Sequence, residues 1–269
     1  MSAPVADVGA TLHGMQTWSA HLSMLFAELP LLERPAAAAA AGFSTVETWW
    51  PGEAADAWAH AVRAAGVSVA LLNADGGDIA AGDRGFLNVA ALRERELARI
   101  GEALRLAADV GAPRVNVLAG RLLQDLPESR QSAELVGALR EAAELAEAAA
   151  VTIVLEPINV LDVPGYLIPT ATDARAVLEH VGSPRVRLLY DVYHAARGGA
   201  DPITEAPLYV DVIDHVQYAD CPGRGAPGTG EIDLERLLEA LTHAGYAGFV
   251  GLEYDPRGDT LGSLSWLQR

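Results

Sequence analysis

Four side chains in the C-terminal half carry oxygen atoms at the ends of short apolar runs. Val151-Thr152-Ile153-Val154-Leu155 stops at Glu156, and Val186 to Tyr190 stops at Asp191. His215-Val216 leads into Gln217, and Phe249-Val250-Gly251-Leu252 stops at Glu253. Three carboxylates gathered at one place repel one another unless a cation lies among them. An all-oxygen donor set suits a hard divalent ion, Mg²⁺ or Mn²⁺, better than zinc, which prefers nitrogen and sulfur. Glu156, Asp191, Gln217 and Glu253 are therefore the expected metal ligands, and they leave part of an octahedral sphere open. A carbonyl and a neighbouring hydroxyl fit there, where chelation stabilises an enediolate. With Glu156 and Glu253 on opposite sides of that substrate, one takes a proton from one carbon and the other returns it to the next, a two-base aldose–ketose-type isomerisation.

Other residues complete the expected site. His194, three positions past Asp191 in the loop expected to leave that strand, is placed to hydrogen-bond a substrate oxygen. Arg224, in a Pro/Gly-rich loop after Gln217, is a cationic anchor for an acidic substrate, and Arg84 is a second one. Glu231 reads as a helix cap or a brace for Arg224, His215 as a packed histidine one layer below Gln217, and Trp49 and Trp50 as a pocket wall or loop packing. Cys221 has no base near it in sequence and is not a nucleophile. All nineteen basic residues are arginine. Schiff-base chemistry and a phosphate-loop lysine are thereby excluded.

Positioning such groups is the work of the elements. Apolar, β-branched segments alternate with longer Ala/Leu/Glu/Arg segments, the signature of βα units. Strands are expected over 18–23, 45–48, 67–73, 114–119, 151–156, 186–191, 215–219 and 249–253. Helices are expected over 92–110, 133–149, 173–181 and 234–244, with stops at Gly42, Gly66, Gly111, Gly182 and Gly245. Eight units predict one closed (β/α)₈ TIM barrel over residues 1–269; the absence of G-x-G-x-x-G after the first strand disfavours an open doubly wound sheet. In a barrel the site lies at the C-terminal strand ends. Side-chain alternation turns Gly251 inward with Glu253, and Ile153 and Leu155 outward.

Composition narrows the class further. The 269 residues, 51% hydrophobic, suffice for a core without disulfides, and Cys221 is the single cysteine. Residues 1–17 lack the pattern of a secretory signal, and no apolar run approaches a membrane span, so a cytoplasmic protein is expected. A net charge of −17 works against binding a phosphate backbone, so no nucleic-acid partner is expected.

The chain resembles the hydroxypyruvate isomerase family of the xylose isomerase-like barrel superfamily. The resemblance is carried by Leu155-Glu156-Pro157-Ile158-Asn159, Tyr190-Asp191-Val192-Tyr193-His194, Asp220-Cys221-Pro222-Gly223-Arg224, Pro227-Gly228-Thr229-Gly230-Glu231-Ile232 and Gly251-Leu252-Glu253-Tyr254, with a characteristic loop over 77–85. It implies the same four ligands, the Glu156/Glu253 proton-transfer pair, substrate contacts at His194 and Arg224, and self-association. Gln217, where related ketose 3-epimerases carry histidine, favours the isomerase branch. His21, Ile79 and the stretch Thr48-Trp49-Trp50-Pro51 depart from the pattern near the rim and bear on the substrate. The expected reaction is hydroxypyruvate to tartronate semialdehyde. The alternatives are a ketose 3-epimerase, a 2-oxo-tetronate isomerase, a keto-polyol dehydratase, a DNA-repair endonuclease or a non-catalytic sugar-binding barrel.

Overall fold

The computed structural model describes residues 18–268, so the reading of residues 1–17 as lacking a secretory signal lies outside the described part. Eight parallel strands close into a barrel in sequence order: β1 (Trp18–His21), β2 (Thr45–Thr48), β3 (Ser68–Asn73), β4 (Arg114–Val117), β5 (Thr152–Leu155), β6 (Val186–Asp191), β7 (Ile213–Tyr218) and β8 (Val250–Leu252). β8 pairs back onto β1, aligning Trp18 with Val250 and Ala20 with Leu252. The barrel predicted from βα alternation is the observed one.

Around it run α1 (Arg34–Ala40), α2 (Ala55–Ala65), α3 (Arg93–Val110), α4 (Glu128–Ala149), α5 (Ala171–Val181), α6 (Val192–Arg197), α7 (Pro202–Glu205), α8 (Leu234–His243) and α9 (Thr260–Ser263). The expected glycine stops hold at α2, α3 and α5, whose C-caps Gly66, Gly111 and Gly182 adopt φ of 69°, 71° and 69°. α4 begins five residues earlier than the expected 133, because Gln131 is buried and its amide binds the Leu123 and Leu126 carbonyls, drawing the first turn onto the preceding loop. His194 sits in α6, not in a loop. The Asp191 carboxylate caps that helix, accepting from the backbone N–H of Tyr193 (2.7 Å) and His194 (3.2 Å).

Alternation divides each strand between two cores. Ile153 and Leu155 face outward and join the main core between sheet and helices. Leu71, Val154 and Leu189 face inward and form a separate, fully buried cluster that plugs the barrel. The inward positions nearer the strands' C-terminal ends are polar: His21, Glu47, Asn116, Glu156, Asp191, Gln217 and Glu253 are all buried. A hydrophobic plug below and ionisable groups above are the arrangement this fold uses for a site.

Candidate active site

Five of the expected groups, Glu156, His194, Arg224, Glu253 and Arg84, line a cavity of about 360 Å³ at the C-terminal mouth. Asp191 is paired across the ladder with Gln217, and Gln217 with Gly251, so their side chains rise from adjacent inward positions. His194 Nε2 lies 3.7 Å from Glu156 Oε1 and 3.8 Å from Asp191 Oδ2. Arg224 Nη2 lies 2.8 Å from Glu253 Oε2 and 3.8 Å from Asp191 Oδ2. One imidazole and one guanidinium thus lie close to the three carboxylates.

Burial, then the charges of Glu253 and Asp191, push the Glu156 carboxyl well above the usual range, despite a 2.7 Å hydrogen bond from Asn116 Nδ2. Burial pushes Asp191 up to about 7, against the pull of Arg224. Glu253 is buried too, yet Arg224, His21 and the Trp49 indole N–H at 3.0 Å outweigh burial and hold it below its ordinary value. The two glutamates are thereby driven in opposite directions.

These donors fit a divalent cation. Atoms of Glu156, Asp191 and His194 lie within 4.8 Å of one another, close enough to share an ion. The Gln217 amide supplies an independent sign. Its Nε2 donates to Glu47 Oε2 at 3.0 Å, while its Oε1 is buried with no hydrogen-bond partner. A buried carbonyl oxygen without a donor costs free energy that a cation would recover.

Glu47 is a buried residue beside the candidate site that the sequence reading missed. Fully enclosed on β2, it accepts from Ser19, from Gln217 and from His215 Nε2 at 2.8 Å. Burial is outweighed by His215, His21 and Ser19, which keep its carboxyl below the ordinary value. The signal was legible: a carboxylate between Val46 and Thr48, in the inward register of a strand, has no solvent to meet. Gly251 leaves room for it, since a Cβ there would fall 2.3 Å from a Glu47 oxygen.

The other expected groups resolve individually. Arg224 is drawn down onto Glu253 instead of standing free at the mouth. Its loop is organised by the buried Asp220 carboxylate, which accepts backbone N–H groups from Cys221, Gly228, Gly230 and Ile232. Arg84 lines the cavity with Nη1 pinned to the Ile79 (3.0 Å) and Asp83 (2.6 Å) carbonyls. Trp49 and Trp50 both line the cavity. Glu231 is exposed, and the cap of α8 is Asp233, which accepts from Arg236 N. His215 is buried beneath Gln217, as expected.

The family model described as the xylose isomerase-like TIM barrel matches residues 35–269. A 2-oxo-tetronate isomerase of Cupriavidus necator is 38% identical, covering 94% of this chain and 98% of that one. The hydroxypyruvate isomerase of Escherichia coli is 33% identical, with 94% and 98% covered. The chain belongs to the hydroxypyruvate isomerase family of xylose isomerase-like barrels. It is an isomerase of that family, as the resemblance implied. Among solved structures, one described as an AP endonuclease, family 2, from Brucella melitensis superposes with a TM-score of 0.90 at 31% identity, covering 94% of this chain and 98% of that one. Among the described residues no helix is long and apolar enough to cross a membrane.

Proposed function

We propose that this isomerase interconverts hydroxypyruvate and tartronate semialdehyde, or the 2-oxo acid one carbon longer, with Mg²⁺ or Mn²⁺ held by Glu156, Asp191, Gln217 and Glu253. The observation that carries the reading is that Glu156 and Glu253, both buried, line one cavity while the buried Gln217 carbonyl oxygen has no hydrogen-bond partner. The ion, when bound, supplies charge to the carbonyl and hydroxyl oxygens and so lowers the cost of the enediolate.

Everything else falls to the chain's own groups. Glu253 removes the proton from C3 of hydroxypyruvate, and Glu156 delivers one to C2. The hydroxyl proton passes from O3 to O2, so the product has the composition of the substrate. His194 faces the reacting oxygens from the side of Glu156 and Asp191. Arg84 is the better anchor for the substrate carboxylate, because Arg224 is engaged by Glu253 and Asp191, whereas the remaining donors of Arg84 hold no partner among the described residues. Its fixed guanidinium suits two-point recognition. A cavity of about 360 Å³ has room for more than a three-carbon acid, which favours including the four-carbon substrate. A net charge of −17 supports the small-molecule reading over the endonuclease one.

The test is turnover of both acids by the Mn²⁺-loaded protein in heavy water. Deuterium entering C2 of tartronate semialdehyde supports the proton shuttle; loss of water, or exchange confined to a ketose C3, overturns it.

A further inference from the structure

Asn159 follows β5 and is buried against α6. Its Oδ1 accepts two backbone N–H groups, Leu161 at 3.1 Å and Asp162 at 2.9 Å. Its Nδ2 lies 3.1 Å from Asp162 Oδ2 and 2.7 Å from His194 Nδ1. The amide can face only one way. Turned over, its NH₂ would meet two backbone donors, and its oxygen would meet the Asp162 carboxylate. With the amide so fixed, both Nδ2 hydrogens are directed, one at Asp162 and one at the imidazole. His194 Nδ1 must then present a lone pair, and a neutral imidazole with an unprotonated Nδ1 carries its hydrogen on Nε2.

We infer that Asn159 locks His194 as the Nε2–H tautomer, so that the ring meets substrate as an uncharged hydrogen-bond donor and is not a metal ligand. Coordination through Nε2 needs the lone pair on that atom. The ring hydrogen would then sit on Nδ1, 2.7 Å from an amide nitrogen that is itself a donor. The triad of Glu156, Asp191 and His194, close enough for an ion, is therefore divided by hydrogen-bond polarity into two carboxylate ligands and one donor. Nε2 reaches neither carboxylate at hydrogen-bonding distance, and His194 lines the cavity, which leaves this N–H for a substrate oxygen. An uncharged donor polarises a carbonyl without surrendering its proton, leaving proton transfer to the glutamates. The role at the carbonyl rests on the proposed isomerisation; the tautomer does not. Asn159 is thus a positioning residue.

Nitrogen-15 spectra of the ring settle the tautomer without any turnover, with His194 identified by the signals lost in His194→Gln. Protonated Nε2 with bare Nδ1 at neutral pH is expected, and the reverse tautomer or an imidazolium overturns the inference. Titration with Mn²⁺ is the second arm: His194→Gln should keep its affinity within about threefold, whereas loss of a true ligand costs about tenfold or more. The exchange Asn159→Asp with Asp162→Asn keeps charge and size but puts an acceptor against Nδ1. It should reverse the tautomer and cut kcat at least about tenfold with a smaller change in KM. If the exchange leaves the ring spectrum unchanged, Asn159 is not the lock. If the spectrum reverses and neither acid is turned over by the wild type, the substrate assignment fails and the lock stands.

Discussion

Glu156 and Glu253 differ in surroundings more than in chemistry: one lies among like charges, the other against a guanidinium and an indole. Each moves a proton in the proposed reaction, so Glu156→Gln and Glu253→Gln should each lower kcat by about a hundredfold or more while circular dichroism and melting stay native. Near-normal turnover in both would remove them from the mechanism. Arg84 acts on binding instead. Losing a charge-assisted pair costs about 2 kcal/mol, so Arg84→Gln should raise KM roughly thirtyfold with a lesser effect on kcat. The same change at Arg224 should reduce kcat as well, since it strips Glu253 of the charge that holds it ionised. Glu47 works at one remove. Glu47→Gln lets the Gln217 amide face either way, and Mn²⁺ affinity measured by calorimetry should fall about 10- to 100-fold.

At the scale of elements, the mouth depends on loops that pass very close to one another. Gly85 has φ of 74°, and a Cβ there would stand 2.2 Å from the Leu118 carbonyl, so the loop after β3 lies directly on the strand end of β4. Gly120, with φ of 111°, lies equally close to Asn88, a Cβ falling 2.0 Å from its Oδ1. Neither contact has room to relax, because each pairs backbone strain with a clash. Gly85→Ala should therefore destabilise the protein by about 1–3 kcal/mol and displace Arg84, visible as a lowered melting temperature together with a raised KM. A half-buried glycine such as Gly101 in α3, with nothing near its Cβ position, should instead tolerate alanine or gain about 0.5–1 kcal/mol. The pair of variants separates a glycine needed for close approach from one that is only permissive.

For the whole molecule, the closed barrel concentrates charge where hydrophobic packing stops. The inner plug of Leu71, Val154 and Leu189 lies beneath the ring of buried polar groups, and that ring includes carboxylates that raise one another's proton affinity. A ligand that binds only the folded state stabilises it, by about 2.7 kcal/mol at a hundredfold excess over Kd. In a barrel of this size, Mn²⁺ should accordingly raise the melting temperature by about 5 °C or more, reversibly with chelator. Calcium-sized or monovalent ions should do less. No shift with any divalent ion would remove the metal from the proposal.

The sequence by itself determined the barrel, its strand order and the inward register of Glu156, Asp191, Gln217 and Glu253, because strand alternation and turn residues are local properties that one chain segment declares alone. It also carried the family motifs, and with them the reaction class. Only the tertiary structure decided what each group meets. Glu47 lies 170 positions from Gln217 and 168 from His215, and nothing local announces that they touch. Trp49 was a candidate wall and is also a hydrogen-bond donor to Glu253, 204 positions away. The amide of Asn159 has a direction only once α6 brings His194 against it. Hydrogen-bond polarity, burial and charge coupling depend on pairs distant in sequence, so closing the barrel is the step that turns these residues into a site.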